Sequence, residues 1–132
     1  MMISRKRAIH EWYKEAFANS RFKLQHRAED DDPVWWINSV VLPDDLRGKA
    51  ETIGSLLMYK HPEIEIRPGF FPLHRMKPFQ NVCLSCPNAI ELYDRVICLP
   101  SSAMLTQSDI QHICKAFSAC VDDVIQSDLL LN

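Results

Sequence analysis

Pro33-Val34-Trp35-Trp36-Ile37-Asn38-Ser39-Val40-Val41-Leu42-Pro43 is the stretch on which the fold class turns. It is β-branched and aromatic, and prolines bracket it, so it reads as a strand. Both alternating sets of side chains are largely apolar. A strand of that kind is buried on both faces and lies centrally in a sheet.

The flanking segments read as helices and shorter strands. Upstream, Ser4 can cap a helix in which Ile9, Trp12, Tyr13, Ala16 and Phe17 recur at helical spacing, with charges and His10 on the other face. Asn19 to Asp32 is polar and ends in four acids, as a solvated loop does. Downstream, Asp44 or Asp45 can cap a helix lined by Leu46, Ala50, Ile53 and Leu57, which His61-Pro62 ends. Ile64 and Ile66 alternate with Glu63 and Glu65 in a second strand, closed by Pro68 and Gly69. Residues 70–86 have no regular period. Pro87 opens a short helix through Tyr93, and Val96-Ile97-Cys98-Leu99 is a third strand. Thr106 to Asp109 is a capping-box start with Asp for Glu. Ile110, Ile113, Cys114, Phe117, Val121 and Val124 form the stripe of a last helix, with Cys120 beside it. Both cysteines read as small core residues. The predicted architecture is α+β, one domain over 1–132, with a small three-stranded sheet packed by about four helices.

Composition narrows the function classes. The chain has 132 residues, 47% apolar and 24% charged, and a net charge of -2. That balance argues against a nucleic-acid surface. Only three glycines are present, at scattered positions, so glycine-rich phosphate loops are excluded. No apolar run is long enough to span a bilayer, which speaks against a membrane role. No signal peptide is visible and the five cysteines are odd in number, so reduced thiols in a cytoplasmic protein are expected.

Candidate chemistry is sparse. Cys83 and Cys86 form a CxxC without a second ligand pair of fitting spacing, so no metal is expected there. Ser101 and Ser102 follow a strand, where a nucleophile could stand, but hydroxyls satisfying backbone groups are the favoured reading. The histidines are dispersed. His74 alone lies in the proline- and aromatic-rich loop after Arg67, with Arg75 and Lys77 following. A rigid cationic loop suits an anionic or hydroxyl-rich ligand. The structural alternative is that the aromatics pack and Arg67 pairs with Glu65.

That loop also carries a resemblance. Ile64-Glu65-Ile66-Arg67-Pro68-Gly69-Phe70-Phe71-Pro72-Leu73-His74 resembles the IETRP-x-F-x-PLH segment of the DegT/DnrJ/EryC1/StrS family, the pyridoxal-phosphate-dependent sugar aminotransferases of fold type I. Arg5 to Tyr13 is similar to that family's helix joining its large and small domains. Val34-Trp35-Trp36 resembles its first small-domain strand, especially in the perosamine-synthase branch. Pro87-Asn88-Ala89, Leu99-Pro100-Ser101-Ser102, Leu105-Thr106 and Asp109-Ile110 resemble its ending. The match runs in order from about Ser4 to about Phe117.

The resemblance implies a C-terminal small domain of such an enzyme, without the large domain that holds pyridoxal phosphate. No cofactor-binding or catalytic residue is then expected in this chain. None of its seven lysines stands in a matching context. By resemblance, Arg67 and His74 line the substrate side of a cleft shared with the large domain, where a nucleotide sugar would bind. The implied partner is that large domain or a second copy of the chain. The implied reaction is amino transfer to a keto sugar in polysaccharide biosynthesis, with a non-catalytic interaction module as the alternative.

Overall fold

The chain is described by a computed structural model covering residues 1–80 and 85–130. It runs from α1 (Met2–Ala16) through β1 (Lys23–Leu24) and β2 (Asn38–Val41) to α2 (Ala50–Lys60) and β3 (Arg67–Pro68). It then forms α3 (Pro87–Tyr93), β4 (Val96–Leu99) and α4 (Gln107–Leu130). The sheet has four strands in the order β1-β2-β4-β3, each pair antiparallel. The architecture is α+β with four α-helices among the described residues, as the periodicities predict.

The sheet differs from the sequence reading at three places. It gains β1, where Lys23 and Leu24 pair with Val41 and Val40 in the segment read as a loop. Gln25 extends this edge with its side chain: Nε2 donates to the Ile37 carbonyl at 2.7 Å and Oε1 accepts from the Ser39 amide at 2.5 Å. The Pro-bracketed stretch yields a central strand, but only from Asn38. Trp35 has φ 50, a left-handed conformation that interrupts an extended run. Only one face of β2 is fully buried, through Asn38 and Val40. Ile64 and Ile66 do turn inward, but the ladder to β4 forms one step later, at Arg67 and Pro68. Pro68 has no N–H to offer, which suits this edge strand. Gly69 then passes so close that a Cβ there would sit 3.1 Å from Val96 Cβ.

Helix boundaries shift for local reasons. Asp44 and Asp45 occupy a 3-10 turn, Gly48 turns at φ 77, and α2 begins only at Ala50. The start of α4 follows the capping-box reading. Thr106 Oγ1 accepts from the Asp109 amide at 3.2 Å, and the Asp109 carboxylate accepts from the Thr106 amide at 2.7 Å. The Thr106 amide and the Thr106 hydroxyl, which donates to the same carboxylate oxygen at 2.7 Å, hold the Asp109 carboxyl below its ordinary pKa.

α4 is the centre of the helical layer, since both α1 and α2 pack on it. Phe17, Phe22 and Phe117 meet edge to face, with centroids 5.1 to 6.0 Å apart. Tyr13, read into the apolar face of α1, is fully buried. Its hydroxyl donates to the Pro100 carbonyl at 2.8 Å. Arg5 adds two bonds from α1 to the Ala103 and Leu105 carbonyls. Ala16, read into the apolar face, is exposed.

Cys114 and Cys120 lie in the core, as their place on the stripe predicts. Burial pushes the Cys114 thiol up to about 12 and raises that of Cys120. The thiolate is the reactive form. Neutral iodoacetamide should therefore leave both unmodified in the folded chain and alkylate them in denaturant, as read by peptide mass. Rapid labelling of Cys114 without unfolding would contradict this packing.

Candidate functional site

The site predicted from sequence lies along the β3 edge and the segment after it. Arg67 extends from the edge strand into solvent. Its Nη2 pairs with Glu65 Oε1 at 2.6 Å, and both side chains are about three-quarters exposed. That pairing is the structural alternative to a ligand role. A groove of about 280 Å³ runs between α2 and this edge, lined by Glu51, Met58, Ile66, Arg67, Tyr93 and Ile97 among others. His74 does not line it. His74 sits in the 3-10 turn Leu73–Arg75, and its Nε2 is buried with no hydrogen-bond partner among the described residues. Around His74 the segment is apolar and open: Phe70, Phe71, Leu73 and Phe79 are all exposed. Phe71 meets the ring of Tyr93 on α3 edge to face, with centroids 5.2 Å apart.

Ser101 is committed to structure. Its Oγ accepts from the Asn38 amide at 2.8 Å and donates to the Leu99 carbonyl at 3.0 Å. Ser102 Oγ accepts from the Met104 amide at 3.2 Å. Both hydroxyls satisfy backbone groups, as the favoured reading holds. Cys83 lies outside the described residues, so the CxxC pair has no geometry here.

A polar arrangement that the sequence reading misplaced lies beneath α1. His10, assigned to the polar face, is buried. Its Nδ1 is 2.9 Å from Asn38 Oδ1, and its ring stacks on Trp35 with centroids 3.4 Å apart and planes 6° from parallel. Asn38 is itself fully buried, and its Nδ2 lies 3.4 Å from Ser101 Oγ. One sequence signal identifies the position: His10 precedes Tyr13 by three and Phe17 by seven, the spacing of one helix face. Trp35 accepts a left-handed backbone, and the stacked pair fixes its ring.

Burial, the largest cause, holds the His10 imidazole below its ordinary 6.5, while the Asn38 bond opposes it. The unfolded chain therefore binds a proton before the folded chain does. Stability falls as pH drops through the window just below 6.5 and is regained above it. The melting temperature should fall between about pH 7.5 and about pH 5.5, more steeply in the parent than in a His10→Gln variant. Equal slopes would contradict the assignment.

Comparisons with known proteins agree with this fold. A model of the DegT/DnrJ/EryC1/StrS aminotransferase family matches residues 1–118. GDP-perosamine synthase of Escherichia coli O157:H7 is 30% identical over 122 residues, covering 92% of this chain and 32% of that protein. Helicobacter pylori PseC, an aminotransferase involved in the biosynthesis of pseudoaminic acid, superposes with a TM-score of 0.81 at 15% identity, over 92% of this chain and 33% of its own. The sugar aminotransferase CalS13 from Micromonospora echinospora gives 0.73 at 17% identity, over 89% of this chain and 30% of its own. These superpositions establish the fold, and the chain spans about a third of the length of the relatives it matches. With a family model covering most of its length, the chain belongs to the DegT/DnrJ/EryC1/StrS aminotransferase family.

Proposed function

We propose that this chain acts as the small domain of a pyridoxal-phosphate-dependent nucleotide-sugar aminotransferase, completing a cleft that a large domain supplies. The observation that carries the proposal is the family match over residues 1–118 in a chain one third the length of its relatives. The reaction class is amino transfer to a keto sugar. Arg67 and His74 are the residues proposed to face the sugar nucleotide: an exposed guanidinium fork suits phosphate oxygens, and His74 Nε2 lacks a partner among the described residues.

The residues present do not fit the cofactor. Pyridoxal phosphate needs an amine to attach it, a carboxylate for its ring nitrogen and a cradle for its phosphate. Lys14, Lys49 and Lys60 are ion-paired with Glu11, Asp128 and Asp123. Lys60 is further held above its ordinary pKa by the Asp123 hydrogen bond. Lys6 donates to the Trp36 and Ser101 carbonyls, and Lys23, Lys77 and Lys115 are exposed. Gly48, Gly54 and Gly69 stand on separate segments. This supports a reading in which the cofactor is held by another domain, so no cofactor step is assigned to these side chains.

The exposed Phe70, Phe71, Leu73 and Phe79 support the partner reading, because clustered apolar side chains are unfavourable to leave in water. The chain should form a stable complex with a separately produced large domain of the perosamine-synthase type, detected by sedimentation. A Phe70→Asp/Leu73→Asp variant should weaken it by about tenfold or more. A monomer that ignores the large domain and binds no hydrophobic dye would favour the non-catalytic module instead.

A further inference from the structure

From the convergence of His61, Glu63 and His112, we propose that this chain carries a surface site for a divalent transition metal, zinc by donor chemistry, that clips the end of α2 to α4. His61 is the residue following α2, Glu63 stands two residues on, and His112 lies in the second turn of α4. The three offer ligand atoms that all lie within 4.8 Å of one another. His112 Nε2 is 3.1 Å and His61 Nδ1 3.5 Å from the same carboxylate oxygen, Glu63 Oε1.

Those separations are close to what a metal requires. Zinc binds imidazole nitrogen and carboxylate oxygen at about 2.0–2.2 Å in tetrahedral geometry, so its donors stand about 3.3–3.5 Å apart. Two of the three edges already have nearly that length. Closing the third needs only a swing of the imidazoles, whose rings meet edge to face with centroids 5.7 Å apart. All three side chains reach solvent, so the ion has an entry path. Two imidazoles and one carboxylate favour zinc or its neighbours over calcium or magnesium, which prefer all-oxygen shells.

The surroundings also suit a cation. Asp109, three residues before His112, lines the same shallow groove as Glu63 and His112. Three protein ligands leave a fourth position for water or for a donor from a docked partner. Because the ligands come from two separated segments, the bound ion would cross-link the helical layer and stabilise the fold.

The test uses the whole chain with Cys83→Ser and Cys86→Ser, which removes the CxxC pair as a rival site. Zinc sulfate is titrated into the metal-free protein by calorimetry and thermal melting. The expected result is one zinc per chain, a raised melting temperature, and affinity at least about tenfold lower in His112→Ala and in Glu63→Gln. These positions are exposed, and the metal-free melting temperature verifies that each variant folds. Absence of binding to the Cys83→Ser/Cys86→Ser parent would overturn the proposal. So would binding that His112→Ala and Glu63→Gln leave unchanged.

Discussion

Phe117→Ala is expected to lower the unfolding free energy by about 3–5 kcal/mol. Phe117 is fully buried and packs edge to face on Phe17 and Phe22, with centroids 6.0 and 5.1 Å away. It stands where α1, the segment after it and α4 meet. Each aromatic pairing removed adds about 0.5–1.5 kcal/mol to the burial effect. Urea unfolding should show a lower midpoint at similar slope. A decrease under about 1 kcal/mol would mean that this aromatic cluster is not the junction of the helical layer.

Asn38→Ala is the second large effect, expected at about 1–3 kcal/mol. Asn38 belongs both to the central strand and to the polar pair beneath α1. Removing its amide leaves His10 Nδ1 buried beside no partner and frees the stacked Trp35. An unsatisfied buried group costs its full desolvation, more than the bond itself contributed. Coupling is expected as well. In a double-mutant cycle with His10→Ala, the second substitution should cost less than it does alone, by about 0.5–3 kcal/mol. Strict additivity would show that the two side chains act independently.

These two sites mark the limit of what the sequence discloses. The stripe from Ile110 to Val124 is long and periodic, so α4, its cap and its buried cysteines can be read directly. The apolar run Val96–Leu99 reads equally plainly as a strand. β1 is not legible, because a two-residue strand between polar neighbours has no period and is held partly by the Gln25 side chain. Trp35 hides the true start of β2, since nothing in the composition of Val34 to Ile37 signals a positive φ at a tryptophan. Ile64 and Ile66 alternate as a strand does, yet burial and ladder pairing separate there by one residue.

The candidate site divides the same way. Arg67 and His74 are reached through motif resemblance, and the pairing of Arg67 with Glu65 follows from their proximity in sequence. The cluster of His61, Glu63 and His112 depends on a long-range packing of α2 against α4, which no local pattern encodes.

The central claim is that this chain completes an aminotransferase cleft. It is tested most directly by fusing the chain to the large domain of Escherichia coli GDP-perosamine synthase, in place of that enzyme's own small domain, and measuring amino transfer from glutamate to a keto-sugar nucleotide. The predicted result is turnover well above that of the large domain alone, with Arg67→Ala raising KM by about tenfold or more. A folded, cofactor-loaded fusion whose turnover does not exceed that of the isolated large domain would contradict it.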